Sequence, residues 1–298
     1  MSLVAVARKD FRDAIRSQWL LALSALFVVA FALPALIRFS LGVGLGERQG
    51  ATQIMVLFIR FMKSGTAVLV PIIAIVVTYA SITREQESGT LKLLLALPHS
   101  RADVVVGKLL GRSAVVALPI AFGFLIAGIV LLPATPIAAI WRFGAFALLT
   151  VILGVVFVGL SLGISAAADS DRQAMVGSVG VFMAGSVFWG PATGRIASSL
   201  ETYAGVSTQG RYLVELFLKL LNPIAAYKTL VDSLIAPSQL AARQQLFGFF
   251  LFPDPAAQKA LGEQLPFYFT DPFVVVLLLL WFIVPVYVGM EVFERADL

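Results

Sequence analysis

Charged residues in this chain are separated by long apolar intervals. Six intervals carry no Asp, Glu, Lys or Arg: Ser17–Ile37, Ser64–Thr83, Ser113–Trp141, Phe143–Ala168, Gln173–Gly194 and Pro272–Met290. A helix needs roughly 20 apolar residues to cross about 30 Å of hydrocarbon, and a charge inside such a stretch is costly. All six are long enough, and none alternates with the period of two expected of an outer-membrane barrel strand. They predict an all-α integral membrane protein with six transmembrane helices, at about 17–37, 64–83, 113–134, 143–168, 173–194 and 272–290. The turn Pro133–Arg142 makes the third and fourth spans a tight helical hairpin. Pro34, Pro71, Pro119 and Pro285 fall inside spans, where neighbouring helices can satisfy the freed carbonyls. The first interval is longer than a secretory signal core and no small-residue cleavage site follows it, so it reads as a retained helix.

Between the spans the pattern changes. Residues 2–16 place Leu3, Val4, Ala7, Phe11, Ala14 and Ile15 on one helical face and Arg8, Lys9, Arg12, Asp13 and Arg16 on the other. This predicts an interfacial helix, either a plain anchor or a gate. Residues 54–63 are apolar but interrupted by Arg60; they extend the second helix outward or lie on the outer surface. Residues 195–271 form a helical external segment, too patterned for a disordered linker and too small for a separate enzyme. In it Tyr212, Leu213, Leu216 and Leu220 share a face, as do Ile224, Tyr227, Leu230, Val231 and Leu234. Asn222-Pro223 supplies a helix N-cap followed by proline at the first helical position. The run Leu246–Phe252 suits the outer leaflet or the sides of the spans, and the segment is a candidate contact for an extracytoplasmic protein.

Composition agrees. The 298 residues are 59% hydrophobic and 13% charged, against about 45–50% and 25% in soluble domains. The net charge of +5 comes from basic residues flanking apolar runs, which face lipid head groups rather than nucleic acid. Arg8, Lys9, Arg12 and Arg16 lie on the same side as Arg84, Lys92, Arg101, Lys108 and Arg112 if six spans are right. Arg38, Arg48, Arg60 and Lys63 oppose them. The balance places both termini in the cytoplasm and the protein in the cytoplasmic membrane. Cysteine is absent and His99 is the one histidine, which removes thiolate and His-cluster metal sites and cysteine nucleophiles.

The chemistry-bearing stretch is Thr83–Arg112, TREQESGTLKLLLALPHSRADVVVGKLLGR. Glu85 and Glu87 stand at the membrane boundary and Gly89 permits a helix end. Leu91, Leu93, Leu94, Leu95 and Leu97 make a stretch apolar on nearly every side, which needs something to bury it. Pro98 stops it. Ser100 and Asp103 have the spacing of a helix cap, and Lys108 and Arg112 mark the return to the membrane. A short rigid element with an apolar surface and charged edges suits a soluble docking partner; a helix lying on the membrane surface is the plain alternative.

The run from Glu85 to Lys108 resembles the coupling loop of ATP-binding-cassette exporter permeases of the second permease class, and is similar to that of the six-span permeases related to the nitrous-oxide-reductase maturation permease. Asn222-Pro223 with Ala226-Tyr227, and the tail Phe293–Leu298, agree with it. The resemblance implies a homo- or heterodimer of permeases carrying two ATPase subunits, with ATP and Mg bound on those subunits and no cofactor on this chain. It implies that Glu85, Glu87, Gly89, Thr90, Leu94, Pro98, Ser100 and Arg101 form the ATPase-coupling contact and that Lys108 restarts the third helix. Lys92 and His99 depart from the common pattern, at positions that bear on the partner's charge. No G-x-x-x-x-G-K-[ST] loop occurs in the chain, so energy has to come from another polypeptide.

Several weaker features keep two readings each. Gly159-x-x-x-Gly163 is a close-packing motif, serving contacts within the chain or a dimer seam. Thr78, Tyr79, Ser178, Met183 and Ser186 line a translocation path or simply bond their own helices. Asp169, Asp171 and Arg172 form a solvated turn or a second partner contact. An intramembrane protease lacks its Ser–His pair, paired aspartates or metal motif. An ion-coupled secondary transporter lacks an acidic residue within a span. A membrane scaffold would not need the capped, leucine-rich loop.

Overall fold

The computed structural model describes residues 11, 18–40, 48–89, 100–134, 137–248, 254–262 and 265–295. Every regular element among them is helical: α1 (Gln18–Ser40), α2 (Arg48–Thr78), α3 (Thr83–Glu87), α4 (Arg101–Leu131), α5 (Ile137–Ala167), α6 (Asp171–Ala204, with a π-turn at Ala184–Phe188), α7 (Thr208–Leu220), α8 (Pro223–Ser233), α9 (Gln239–Gln244), α10 (Pro255–Ala260) and α11 (Asp271–Arg295). Five stretches are long and apolar enough to cross a membrane: Met55–Glu87, Arg101–Leu131, Ala139–Ala167, Asp171–Ala204 and Asp271–Arg295. The first apolar interval forms α1, whose apolar part Ala22–Ile37 is shorter. The expected interfacial helix at 2–16 lies outside the described residues except for Phe11.

The helices run well past the charge-free intervals. α2 starts at Arg48, so residues 54–63 extend it outward. α4 starts at Arg101 and holds Lys108 and Arg112 within it, and α6 continues to Ala204. The intervals mark where lipid excludes charge. Helix ends are set by capping and tertiary contacts instead.

α5 is the central helix, packed on α2, α4 and α11. Its approach to α11 depends on glycine. A Cβ on Gly163 would lie 2.1 Å from the Pro285 carbonyl oxygen, and one on Gly289 2.3 Å from that of Gly163. Gly159 packs on the Phe282 ring in the same way. The Gly159-x-x-x-Gly163 motif therefore serves a contact within the chain. On the other side α1 lies along α4, with Gly123 against the Phe27 backbone and the Phe31 and Phe124 rings 4.3 Å apart.

The segment 195–271 is tied deeply into the bundle. α7 runs back along the end of α6 and α8 turns away again, and the tip of this hairpin is held by both flanking spans. Trp189 Nε1 donates to the Leu218 carbonyl (2.8 Å), Trp281 Nε1 to that of Leu221 (2.6 Å), and Asn222 Nδ2 to that of Gly185 (2.6 Å). Asn222 also accepts from Ile224 N, capping α8 as its sequence predicts. Gly185 lies in the π-turn, where a widened turn leaves a carbonyl available to an outside donor. Trp281 is ten residues into α11 from Asp271, about 15 Å along its axis, so the hairpin tip reaches well below the ends of the spans. Higher up, the buried Tyr227 hydroxyl bonds Thr66 Oγ1 (2.7 Å) on α2 and Thr150 Oγ1 (2.9 Å) on α5.

Replacing Gly163 by alanine is expected to destabilise the detergent-solubilised protein by about 1–3 kcal/mol, read as a lower thermal midpoint. Gly65→Ala, whose new Cβ meets nothing within 4 Å, should leave it unchanged. Equal midpoints for the two variants would contradict the α5–α11 contact.

Candidate functional site

α2 ends at Thr78, the chain turns through Tyr79–Ile82, and the single-turn α3 follows. Gly89 then takes φ +71°, a left-handed conformation that glycine adopts without steric penalty. This elbow, residues 79–89, is fastened to three neighbouring elements.

The turn itself is held from α5. Ser165 Oγ accepts from the backbone N–H groups of Ile82 (3.2 Å) and Thr83 (3.4 Å), donors that the break in the helix would otherwise strand. Ile82 and Thr83 are fully buried. The second fastening comes from α4, where Lys108 Nζ lies 2.8 Å from Glu85 Oε1; the lysine side chain is 4% exposed and the glutamate 25%. One turn on, Arg112 Nη1 donates to the Val77 carbonyl at 3.0 Å. The third is the turn between α5 and α6. Asp171 accepts from the Thr83 hydroxyl and from Arg84 Nε (3.3 Å), and its own backbone N–H donates to Glu87 Oε1 at 3.0 Å. Glu87 thus satisfies an open N–H at the start of α6, where a negative charge also suits the helix dipole.

These contacts differ in weight. Arg84 is 69% exposed, and an ion pair open to solvent contributes about 0–1 kcal/mol. Lys108 is out of water, so loss of Glu85 would strand a buried ammonium at a cost of several kcal/mol. The Lys108–Glu85 pair is the main anchor and the Asp171 cluster aligns the elbow.

α4 opens with the capping box expected from Ser100 and Asp103: Asp103 N donates to Ser100 Oγ (3.0 Å) and Ser100 N to Asp103 Oδ2 (3.1 Å). Arg101 is turned toward the last turn of α11. Its Nη1 donates to the carbonyls of Phe293 (2.6 Å) and Glu294 (3.0 Å), and its guanidinium lies 5.6 Å from the Phe293 ring centroid. A cation there satisfies open carbonyls at a helix C-terminus.

Of the coupling residues read from sequence, the structure gathers Glu85, Glu87, Gly89 and Lys108 in or against the elbow. Ser100 and Arg101 lie at the start of α4. Thr90, Leu94 and Pro98 lie outside the described residues. Thr83, Ser165 and Asp171 were missed as elbow residues. Asp171 stood out only as part of a charged turn, and nothing in the local pattern of Ser165 signals its partner. The path candidates differ in exposure. Thr78 and Ser178 are fully buried and their hydroxyls have no partner among the described residues. Tyr79 is half-buried, Ser186 Oγ donates to the Phe182 carbonyl (2.7 Å), and Met183 faces outward.

A helical bundle with several membrane-length spans and an elbow at one end defines a multi-pass membrane protein. The chain belongs to the ABC-2 family transporter proteins, whose family model matches residues 4–298. It is also 32% identical over 181 residues to the probable ABC transporter permease protein NosY of Stutzerimonas stutzeri, and equally to that of Pseudomonas aeruginosa. Each match covers 59% of this chain and 64% of the relative's length.

A double-mutant cycle tests the anchor. Lys108→Met should cost about 2–3 kcal/mol and lower the thermal midpoint, while Glu85→Gln with Lys108→Met should recover much of the loss. Additive effects would mean that the pair does not hold the elbow.

Proposed function

We propose that this chain is the transmembrane permease subunit of an ATP-binding-cassette exporter, and that the elbow with the loop 84–112 is where a separate ATPase subunit docks. The reading is carried by the Lys108–Glu85 anchor. A short element fastened to α4, α5 and α6 at once passes a push on its surface to the span bundle instead of hinging away. Membership of the ABC-2 family supports the same assignment.

In this reading six helices span the cytoplasmic membrane, α1 among them, with both termini and the elbow in the cytoplasm. Two permeases, identical or not, stand on two ATPases, which alone bind ATP and Mg and carry out hydrolysis. Closure of the ATPases drives Glu85, Glu87, Gly89, Thr90, Leu94 and Pro98 of each protomer. The spans then tilt and open a path between protomers, with Thr78, Tyr79, Ser178, Met183 and Ser186 near it. Arg101 braces the base of α4, which Ser100 caps, against α11 and so ties the last span to the same motion. Segment 195–271 meets an extracytoplasmic protein.

The permease should be purified with the ATP-binding-cassette ATPase that accompanies it, and hydrolysis compared with that of the ATPase alone. Leu94→Ala and Gly89→Ala are expected to insert normally, retain the ATPase and lose the permease-dependent change in hydrolysis. Unaltered coupling in both variants would remove the elbow from the mechanism.

A further inference from the structure

Hydroxyls inside a helix commonly return their bond to their own backbone, as Thr66 does to the Met62 carbonyl, Thr150 to that of Phe146 and Ser186 to that of Phe182. Thr78 on α2, Ser161 on α5 and Ser178 on α6 do not. All three residues are fully buried, and among the described residues none of their hydroxyls has a hydrogen-bond partner.

Helix register brings Ser161 and Ser178 together. Phe157, Ser161 and Ser165 recur at four-residue spacing on one face of α5, and Ala174, Ser178 and Phe182 do the same on the buried face of α6. The Phe157 and Phe182 rings meet, with centroids 6.2 Å apart. Further along, a Cβ on Gly177 would lie 2.9 Å from Ile164 Cγ2, so the two helices run antiparallel. One turn on from the ring pair, Ser161 stands across from Ser178.

Thr78 reaches the same level from α2. Val70, Ala74 and Thr78 form a fully buried stripe. At its start Val70 Cγ1 would be 3.3 Å from a Cβ on Gly154 of α5. One turn past its end, Ile82 donates its N–H to Ser165. Thr78 is one turn before Ile82 and Ser161 is one turn before Ser165, so the two are level where α2 and α5 face each other. Three unanswered hydroxyls from three helices thus meet between the Phe157–Phe182 rings on one side and the elbow on the other.

Their chemistry narrows the ligand. Each hydroxyl donates one bond and accepts others, so the molecule that answers them is small and does both. An ion would give up its hydration for neutral dipoles alone, because the carboxylates of the elbow are engaged elsewhere: Glu85 by Lys108, and Asp171 by Thr83 and Arg84. Water fits, since a buried water makes about three hydrogen bonds to groups that otherwise lack a partner.

We propose that Thr78, Ser161 and Ser178 form a binding site for an internal water molecule that bridges α2, α5 and α6 beneath the elbow. The bridge joins α6 to the other two helices inside the bundle, deeper than the contacts of Asp171. The site does not depend on what docks on the elbow.

The test uses the full-length protein in nanodiscs, with Ser161→Ala, Ser178→Ala and the triple variant Thr78→Val/Ser161→Ala/Ser178→Ala. Brief X-ray radiolysis turns a bound water into hydroxyl radical in place, and mass spectrometry reads the oxygen added to rings beside it. Phe27 and Phe31, stacked on each other in apolar surroundings, are the dry controls. Phe157 or Phe182 is expected to be oxidised well above Phe27 and Phe31, and the triple variant to lose that excess. Each single serine variant should lower the thermal midpoint by about 2–4 °C, because it strips the water of a partner. The triple variant should fall by less than the sum, because the whole polar set is gone. If the triple variant does not fold, Ser161→Ala is read in the same way. Oxidation of Phe157 and Phe182 no greater than that of the controls, an excess that the variants retain, or a midpoint that rises when one hydroxyl is removed would each overturn the proposal.

Discussion

A buried ammonium that has to keep its carboxylate holds the elbow against the span bundle. Lys108 sits inside a helix, almost without solvent, and Glu85 of the elbow is its partner. Separating them would leave a charge in a medium that solvates it poorly, at a cost of several kcal/mol. The elbow therefore cannot lift away from α4 as a free loop would. Ser165 and Asp171 add weaker contacts, but they define the direction in which the elbow points.

The far ends of α2 and α5 are bound to each other as well. Tyr227 joins Thr66 to Thr150 through its hydroxyl, and Lys63 ties α2 to α8. Two helices pinned to each other at both ends transmit displacement as a body. α5 and α11 meet at a contact only glycine permits, so the last span moves with them. Arg101 repeats that link at the base of α4. α6 is different: much of its surface is unburied, and it meets the hairpin tip through the Gly185 carbonyl and Trp189 Nε1.

Much of this was legible in the sequence where local rules operate. Five of the six charge-free intervals fall on helices long and apolar enough to cross a membrane, because lipid penalises charge wherever it falls. Ser100 with Asp103, and Asn222 before Pro223, announce helix starts because capping is satisfied within a few residues. The buried faces of α7 and α8 follow from the spacing of Tyr212, Leu216 and Leu220 and of Ile224, Tyr227 and Val231. Contacts between distant residues were not legible. Arg101 carries the same charge whether it meets a partner protein or the carbonyls of α11. Gly163 fits a seam within the chain as well as one between chains. The depth of the α7–α8 hairpin depends on Trp189, Trp281 and Asn222 finding carbonyls far along the chain, which no periodicity encodes.

The absence of cysteine makes the central assignment open to one direct measurement. A single cysteine introduced at Ser88, at the tip of the elbow, is loaded with a short photoactivatable cross-linker in the complex with the ATPase, and the adduct is identified by mass spectrometry. A permease–ATPase adduct from position 88, absent for a cysteine at Asp254 beyond the hairpin, is the expected result. Failure of position 88 to reach the ATPase in a complex that contains it would contradict the elbow as its docking site.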